Sequence, residues 1–232
     1  MNDEAQFEAW PKIGRLNRST IITEKIDGTN AAVLIVAIPW GQGNFPDHHR
    51  TAIIVNDEER DDNGRPEFEY HVYAQSRTRF ITPGKGTDNY GFAGWVERNA
   101  EALVSTLGIG RHFGEWWGGG IQRGYGLARE DKRFSLFNVE RWANLTAMLS
   151  EIPGLGVVPA ISVDAVFDTD SVTDSVDYLR DFGSLAARGF MNPEGVVVYH
   201  PHSRTSFKVT LEGDEAPKGI AGHALDVEKV AA

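Results

Sequence analysis

The sequence predicts an α+β fold built on antiparallel sheets. Three observations carry this reading. Short, β-rich segments with alternating polarity dominate the chain, and most are bounded by Gly, Pro or Asn. Only two stretches have strong helical spacing. No regular alternation of strand and helix signals a parallel sheet. There is no internal repeat and no low-complexity linker. One domain over residues 1–232 is therefore expected, with a loop-rich, acidic excursion at about 39–66 and no separate C-terminal domain.

Taken in order, the first strands flank "EKIDG": Ile21–Glu24 and Ala31–Ile38 are runs of β-branched and aliphatic residues. A short strand, Thr51–Val55, lies within the excursion, and the aromatic-rich Phe68–Gln75 follows it. A helix is predicted over 89–107, with Phe92, Val96, Ala100, Leu103 and Leu107 at helical spacing and Gly108 as its stop. Phe113–Trp117 and Phe134–Glu140 read as strands. In the second, Phe134 and Leu136 face one way and Phe137 the other. A weaker helix, "ANLTAMLSEI", precedes Pro153, and a strand is predicted over Val157–Ser162. A second clear helix covers 172–187, with Val176, Leu179, Phe182 and Leu185 as its apolar stripe. Gly195–Tyr199 and Thr205–Thr210 close the chain as strands.

Composition narrows the function classes. With 41% hydrophobic and 24% charged residues the chain is an ordinary globular protein. It contains no cysteine, which excludes disulfides, thiolate metal sites and a cysteine nucleophile. A net charge of −10 argues against non-specific coating of nucleic acid, which needs clustered Lys and Arg, but leaves room for a local basic site. No apolar stretch approaches the roughly 20 residues that span a bilayer, and the N-terminus has no basic region followed by an apolar run. A cytoplasmic protein without a membrane partner is expected.

Several groups could carry chemistry. In "EKIDGTN", extended backbone would put Lys25 and Asp27 on one face with Ile26 packed behind, and Gly28 permits close approach of a ligand. A lysine attacks an electrophile only as the neutral amine. Alone, the stretch favours a solvated lysine paired with acids, and the rest of the chain has to overturn that reading. Arg77 and Arg79 in "QSRTRF" share a predicted strand face suited to a phosphate or a ribose edge. Glu115 ends an aromatic strand before a glycine-rich turn, where a carboxylate could hold ribose hydroxyls. Phe137 is either core or a stacking platform for a base. Glu194 sits at a strand entry, and Lys208 and Thr210 point to one side of a late strand. Arg123, Arg129, Lys132 and Arg133 read either as a basic track for phosphates or as a solvated turn. "DHHR" (47–50) and "HPH" (200–202) read as exposed loops rather than metal sites.

Together these elements resemble the lysine nucleotidyltransferase superfamily of polynucleotide ligases and RNA capping enzymes, and within it the RNA ligases of the T4 RNA ligase 2 type. The resemblance runs from about Thr23 to Thr210. It rests on "KIDG", "SRTR", "FGEWWGGGIQ", "FSLFNV", "EGVVV" and "FKVT" in family order. It implies a nucleotidyltransferase (adenylation) domain with a nucleotide pocket between its sheets, and an ATP-dependent enzyme joining 5′-phosphate and 3′-hydroxyl RNA ends. In that reading Lys25 takes AMP covalently and Lys208 neutralises the α-phosphate. Glu24, Ile26 and Asp27 flank the adenosine and reacting phosphate, Arg77 and Glu115 contact ribose or substrate, and Phe137 stacks on adenine. Glu194 and Asp27 hold Mg²⁺ or Mn²⁺. The implied partners are RNA ends, possible nicked duplexes among them, and a separate protein supplying RNA-binding function.

One position departs from the pattern. Thr210 stands where the family places a second lysine, and Lys218 is the candidate replacement cation. A DNA nick ligase, an end-adenylylating transferase and a non-catalytic nucleotide- or RNA-end-binding module are the alternatives at this stage.

Overall fold

The structure, a computed structural model, describes residues 9–10, 12–42, 47–55 and 60–212. Two sheets carry the fold. The smaller has the strand order β11-β10-β1-β9, formed by β1 (Ser19–Lys25), β9 (Ala160–Val166), β10 (Gly195–His200) and β11 (Thr205–Thr210). The larger has the order β3-β4-β2-β6-β7-β8, from β2 (Thr29–Pro39), β3 (Ala52–Val55), β4 (Phe68–Ser76), β6 (Gly110–Gly118), β7 (Lys132–Leu136) and β8 (Leu155–Val157). The two-residue β5 (Phe80–Ile81) pairs with β4. Every strand pair is antiparallel except β7 with β8. This is the α+β architecture that the alternating segments predict.

The chain crosses between the sheets at two short links, and these links position the site. β1 ends in the small sheet at Lys25 and β2 begins in the large sheet at Thr29, so Ile26–Gly28 is a crossing. The single strand predicted over Val157–Ser162 is instead two strands in different sheets. Val158 and Pro159 separate them: Val158 N donates to Leu136 O on the large-sheet side, while Pro159 has no N–H and offers only its carbonyl, to Glu24 N of β1.

The helices differ from the sequence expectation at their ends. The helix expected over 89–107 is two, α1 (Phe92–Arg98) and α2 (Ala100–Leu107), broken at Asn99. Asn99 Nδ2 donates to Trp95 O, an alternative to continuing the ladder that asparagine offers readily. Asp88 caps the start by accepting from Ala93 N and Gly94 N. The strand predicted over Phe134–Glu140 stops at Leu136, because Asn138 caps the one-turn helix α3 (Val139–Trp142) by accepting from Arg141 N. "ANLTAMLSEI" forms only a 3₁₀ turn and a further single turn, α4 (Thr146–Leu149).

The last helix, α5 (Thr169–Phe182), starts earlier than predicted because Asp168 caps it, accepting from Asp170 N and Ser171 N. It ends at Gly183 (φ 78), where a Cβ would lie 2.6 Å from Phe190 O. Phe182 and Leu185 therefore leave the expected stripe. Val176 and Leu179 are buried, whereas Phe182 is exposed.

Three apolar clusters fill the interior. The largest packs α1 and α2 on one face of the large sheet around Phe92, Trp95, Trp116 and Phe134. A second joins α5 to the small sheet through Ile22, Val176, Leu179, Val196 and Val198. The third lies at the crossings and gathers Ile26, Trp117, Tyr125, Val158 and Ala187. Adjacent strand residues face opposite ways, so Trp116 enters the first cluster and Trp117 the third. Burying side chains of this size stabilises the fold by roughly 1.5–3 kcal/mol each.

Candidate active site

The two sheets face each other across a cleft of about 820 Å³. Ligand pockets for nucleotide-sized molecules fall at roughly 300–1,000 Å³. The small sheet lines it with Thr23, Lys25 and Val197, the large sheet with Asn30, Phe113 and Glu115, and the β7–α3 connection with Phe137 and Asn138. Strand alternation decides this assignment. Thr23 and Lys25 face the cleft, while Ile22 on the opposite face of β1 packs towards α5.

Lys25 is the last residue of β1 and stands opposite Gly195 of β10, which in turn stands opposite Thr210 of β11. Its Nζ donates to Glu194 Oε2 at 2.5 Å, with side chains 24% and 12% exposed. Gly195 (φ 154) allows the tight ladder here, since a Cβ would lie 2.1 Å from Val209 O. One row further along, Thr23, Val197 and Lys208 are aligned across the three strands, so Lys208 belongs to the cleft face, exposed on the outer strand. Lys218 lies outside the described residues.

After Lys25 the chain leaves the sheet, so Ile26 and Asp27 are not a continuation of the strand. Ile26 is buried in the third cluster. Asp27 Oδ2 accepts from Arg123 Nε at 3.2 Å, and Asp27 N donates to Tyr125 Oη at 2.8 Å. Gly28 N donates to Glu115 Oε1 at 3.2 Å. A Cβ on Gly28 would lie 2.5 Å from Trp116 O and 2.8 Å from Trp117 Cβ, so β6 approaches the link too closely for any side chain.

Glu115, on β6, projects into the cleft beneath this link. Burial pushes its carboxyl up to about 7; Lys25 and the Gly28 N–H oppose the rise, and the nearby Glu194 and Asp27 carboxylates add to it. Glu194 thus contacts the lysine amine directly, while Glu115 lies within the electrostatic reach of Lys25, Glu194 and Asp27. A raised carboxyl and a cation in one cleft are a pattern of functional sites. Phe137 sits just beyond β7 with its N donating to Phe113 O, and both rings are more than 40% exposed in the cleft. Of its two sequence readings, core or platform, the structure has the exposed ring.

Glu24, Arg77 and Arg79 show features that the sequence does not reveal. Glu24 is buried, and its carboxylate accepts from Ser184 Oγ at 2.6 Å and from Leu185 N and Ala186 N at 2.8 Å each. Burial raises its pKa. Glu24 thus borders the cleft while its carboxylate ties β1 to the turn after α5. Arg77 and Arg79 lie in the β4–β5 turn rather than on a strand face. Ser76 N and Oγ both donate to Arg79 O there, and Arg77 is exposed and does not line the cleft.

Sequence reasoning missed the partners of these groups. Arg123 Nη1 donates to Asn192 Oδ1 at 2.7 Å and to Asn192 O at 3.2 Å, so this member of the suspected basic track serves the site. Lys132 donates to Arg129 O, and Arg133 pairs with Asp131. The left-handed Gln122 (φ 44) and Tyr125 (φ 53) mark the same turn as unusual. The available signal was "GIQRGYG", in which glycines surround bulky residues. His200 is buried, with Nε2 3.0 Å from Leu16 O, rather than exposed in a loop.

A hard divalent cation fits this donor chemistry only in part from the protein. Among the described residues no group of three or more His, Asp or Glu is arranged to hold a metal ion. Mg²⁺ or Mn²⁺ in nucleotide sites commonly takes one or two carboxylates and completes its shell with phosphate oxygens and water. Glu194 and Asp27 supply oxygens of that kind beside Lys25.

Two facing antiparallel sheets, a nucleotide-sized cleft and a K-x-D-G link crossing between them define the lysine nucleotidyltransferase class. Residues 18–210 match the family model described as RNA ligase, and the chain belongs to the RNA ligase family. Solved structures of Naegleria gruberi RNA ligase have a similar fold. A mutant with ATP and Mn matches at a TM-score of 0.52 and 16% identity, covering 84% of this chain and 49% of that one. Another mutant with ATP and Mn matches at 0.51 and 17%, covering 85% and 51%. A mutant with AMP and Mn matches at 0.50 and 17%, covering 84% and 50%. This chain spans about half the length of those structures. Among curated proteins no sequence matches it. No helix among the described residues is long and apolar enough to cross a membrane.

Proposed function

We propose that this chain is an ATP-dependent RNA ligase with Lys25 as its covalent nucleophile. The neutral Nζ attacks the α-phosphorus of ATP; a P–N bond forms, the P–O bond to pyrophosphate breaks, and the amine proton is lost. AMP then passes from the lysine to an RNA 5′-phosphate, and a 3′-hydroxyl displaces it to form the phosphodiester. The observation that carries this reading is Lys25, which lines a two-sheet cleft of about 820 Å³ and is in hydrogen-bond contact with Glu194. Phosphoryl transfer depends on such positioning and charge neutralisation.

Phe137 is the stacking platform for adenine and Glu115 the acceptor for ribose hydroxyls. Lys208 is the cation for the α-phosphate, on the cleft face one row from Lys25. Glu194 and Asp27 would hold a divalent ion, which would supply neutralisation of the triphosphate charge. The ATP, AMP and Mn named for the Naegleria structures support the same nucleotide and metal class. We assign Arg77 to the RNA rather than to the nucleotide, because it is exposed outside the cleft. RNA ends, single or in nicked duplex, are the substrate, in the cytoplasm, with a separate polypeptide contributing RNA contacts.

The test is incubation with α-labelled ATP and Mg²⁺ or Mn²⁺, followed by peptide mapping. A mass increase of AMP on Lys25 is the expected result. No adduct while a control ligase labels would overturn the reading in favour of a binding module, and sealing of DNA nicks alone would overturn the RNA assignment.

A further inference from the structure

We propose that the 123–125 turn is a positioning staple for the adenylylation step: Arg123 and Tyr125 hold the segments that carry Lys25 and Glu194 in one mutual register. The proposal rests on Lys25 being the nucleophile and concerns what fixes its approach.

The turn grips both sides of the Lys25–Glu194 pair. On the lysine side, Tyr125 Oη accepts from Asp27 N at 2.8 Å, and Arg123 Nε donates to Asp27 Oδ2 at 3.2 Å, two residues after Lys25. On the carboxylate side, Arg123 Nη1 donates to the side chain and the carbonyl of Asn192, two residues before Glu194. The β1–β10 ladder ends at Lys25 and Gly195, and Glu194 O accepts instead from Leu211 N, so that ladder does not extend between the segments 26–28 and 192–194 to set their spacing. The planar guanidinium spans them with donors in a fixed fork, which a lysine cannot reproduce.

The turn itself is rigidly seated. Tyr125 is 2% exposed, its ring meeting Trp117 edge-on at 5.1 Å and Phe190 at 4.7 Å between centroids. It holds φ 53 between Gly124 (φ 67) and Gly126 (φ 69). A bulky residue in the left-handed region persists only where its surroundings over-determine it, and such residues concentrate at functional sites. A tyrosine needed only for packing has no use for a hydroxyl aimed at the Asp27 amide.

Tyr125→Phe and Arg123→Lys test this in the full chain. The first keeps both ring contacts and removes only the acceptor; the second keeps the charge and removes the bridge. Three quantities are compared with the unsubstituted protein: thermal midpoint, ATP affinity by calorimetry, and the single-turnover rate of lysyl-AMP formation at saturating ATP. Because Tyr125→Phe leaves the Asp27 N–H without its acceptor and Arg123→Lys leaves Asp27 Oδ2 and Asn192 without the fork of donors that bridged them, each variant should form the adduct about tenfold more slowly while binding ATP within about twofold of the original. The double variant should be little worse than either single, since both act on one register.

Adduct formation at the original rate in either folded variant overturns the proposal. So does a rate loss fully matched by lost ATP binding or a lost thermal midpoint. If the unsubstituted protein forms no adduct, the ligase reading falls and the staple with it, a result distinct from labelling that both substitutions leave unchanged.

Discussion

Lys25 Nζ and Glu194 Oε2 lie 2.5 Å apart, joining the last residue of β1 to the entry of β10 in a partly buried pair. The pair separates charge from chemistry. Lys25→Arg keeps a cation opposite Glu194, so the thermal midpoint should stay near the original, whereas Lys25→Met leaves the carboxylate without its partner. Neither should yield an AMP adduct, because guanidinium does not deprotonate in proteins and a thioether is no substitute for the amine. Labelling with α-labelled ATP beside thermal melts checks both statements.

Gly28→Ala should cost about 1–3 kcal/mol of stability, the usual range for forced overpacking. The added Cβ meets Trp116 O at 2.5 Å, and backbone there cannot rotate away as a side-chain tip could. Urea denaturation measures the loss. Adduct formation should fall with it, since the displaced link carries Asp27.

Glu115 makes stability depend on pH. Its folded-state pKa of about 7 lies above the ordinary carboxyl value of 4.5, so the folded protein holds a proton that the unfolded chain has already released between those values. Its contribution is complete below about 4.5 and disappears as pH rises through about 7. Glu115→Gln should remove this component. The stability difference between the glutamine variant and the original should therefore grow in the variant's favour from pH 5 to pH 7.5, as measured by denaturant titration at each pH.

Phe137→Ala should weaken ATP binding about 5- to 150-fold, because base-on-aromatic stacking is worth roughly 1–3 kcal/mol. Its ring is 41% exposed, so the thermal midpoint should scarcely move. Phe137→Tyr should retain binding. Calorimetric titration of the three proteins with ATP checks the order.

Thr210→Lys should accelerate lysyl-AMP formation several-fold. Thr210 stands in the row of Lys25 and Gly195, on the cleft face of β11, so a cation there would reach the triphosphate charge that a hydroxyl meets only with a hydrogen bond. Single-turnover labelling compares the two proteins, and no gain would indicate that another group already supplies the charge.

How much of this was legible in the sequence differs from residue to residue. Lys25, Glu115, Glu194 and Lys208 could be singled out because a strand's period of two makes their faces readable and because their order resembles a known motif set. The core strands followed from the same period, and Gly28 from the tight turn it permits. Glu24, expected to flank the adenosine, borders the cleft, but its carboxylate is committed elsewhere. Its true partners, Ser184, Leu185 and Ala186, come from a turn some 160 residues away that no local pattern reveals.

The strand predicted over Val157–Ser162 failed for a related reason. Alternation says that a segment is extended, but not which sheet takes each half, and Pro159 marks the exchange only once the sheets are known. The sequence by itself thus determined most of the extended segments and the faces of the strands, and singled out Lys25 as the candidate nucleophile, because these depend on local backbone geometry and side-chain chemistry. Only the tertiary structure decided that Arg123 and Tyr125 reach Asp27, that Glu115 is held near neutrality by burial, and that Lys25 meets Glu194. Those outcomes arise from desolvation and from long-range hydrogen bonds, which exist only where distant segments are packed together.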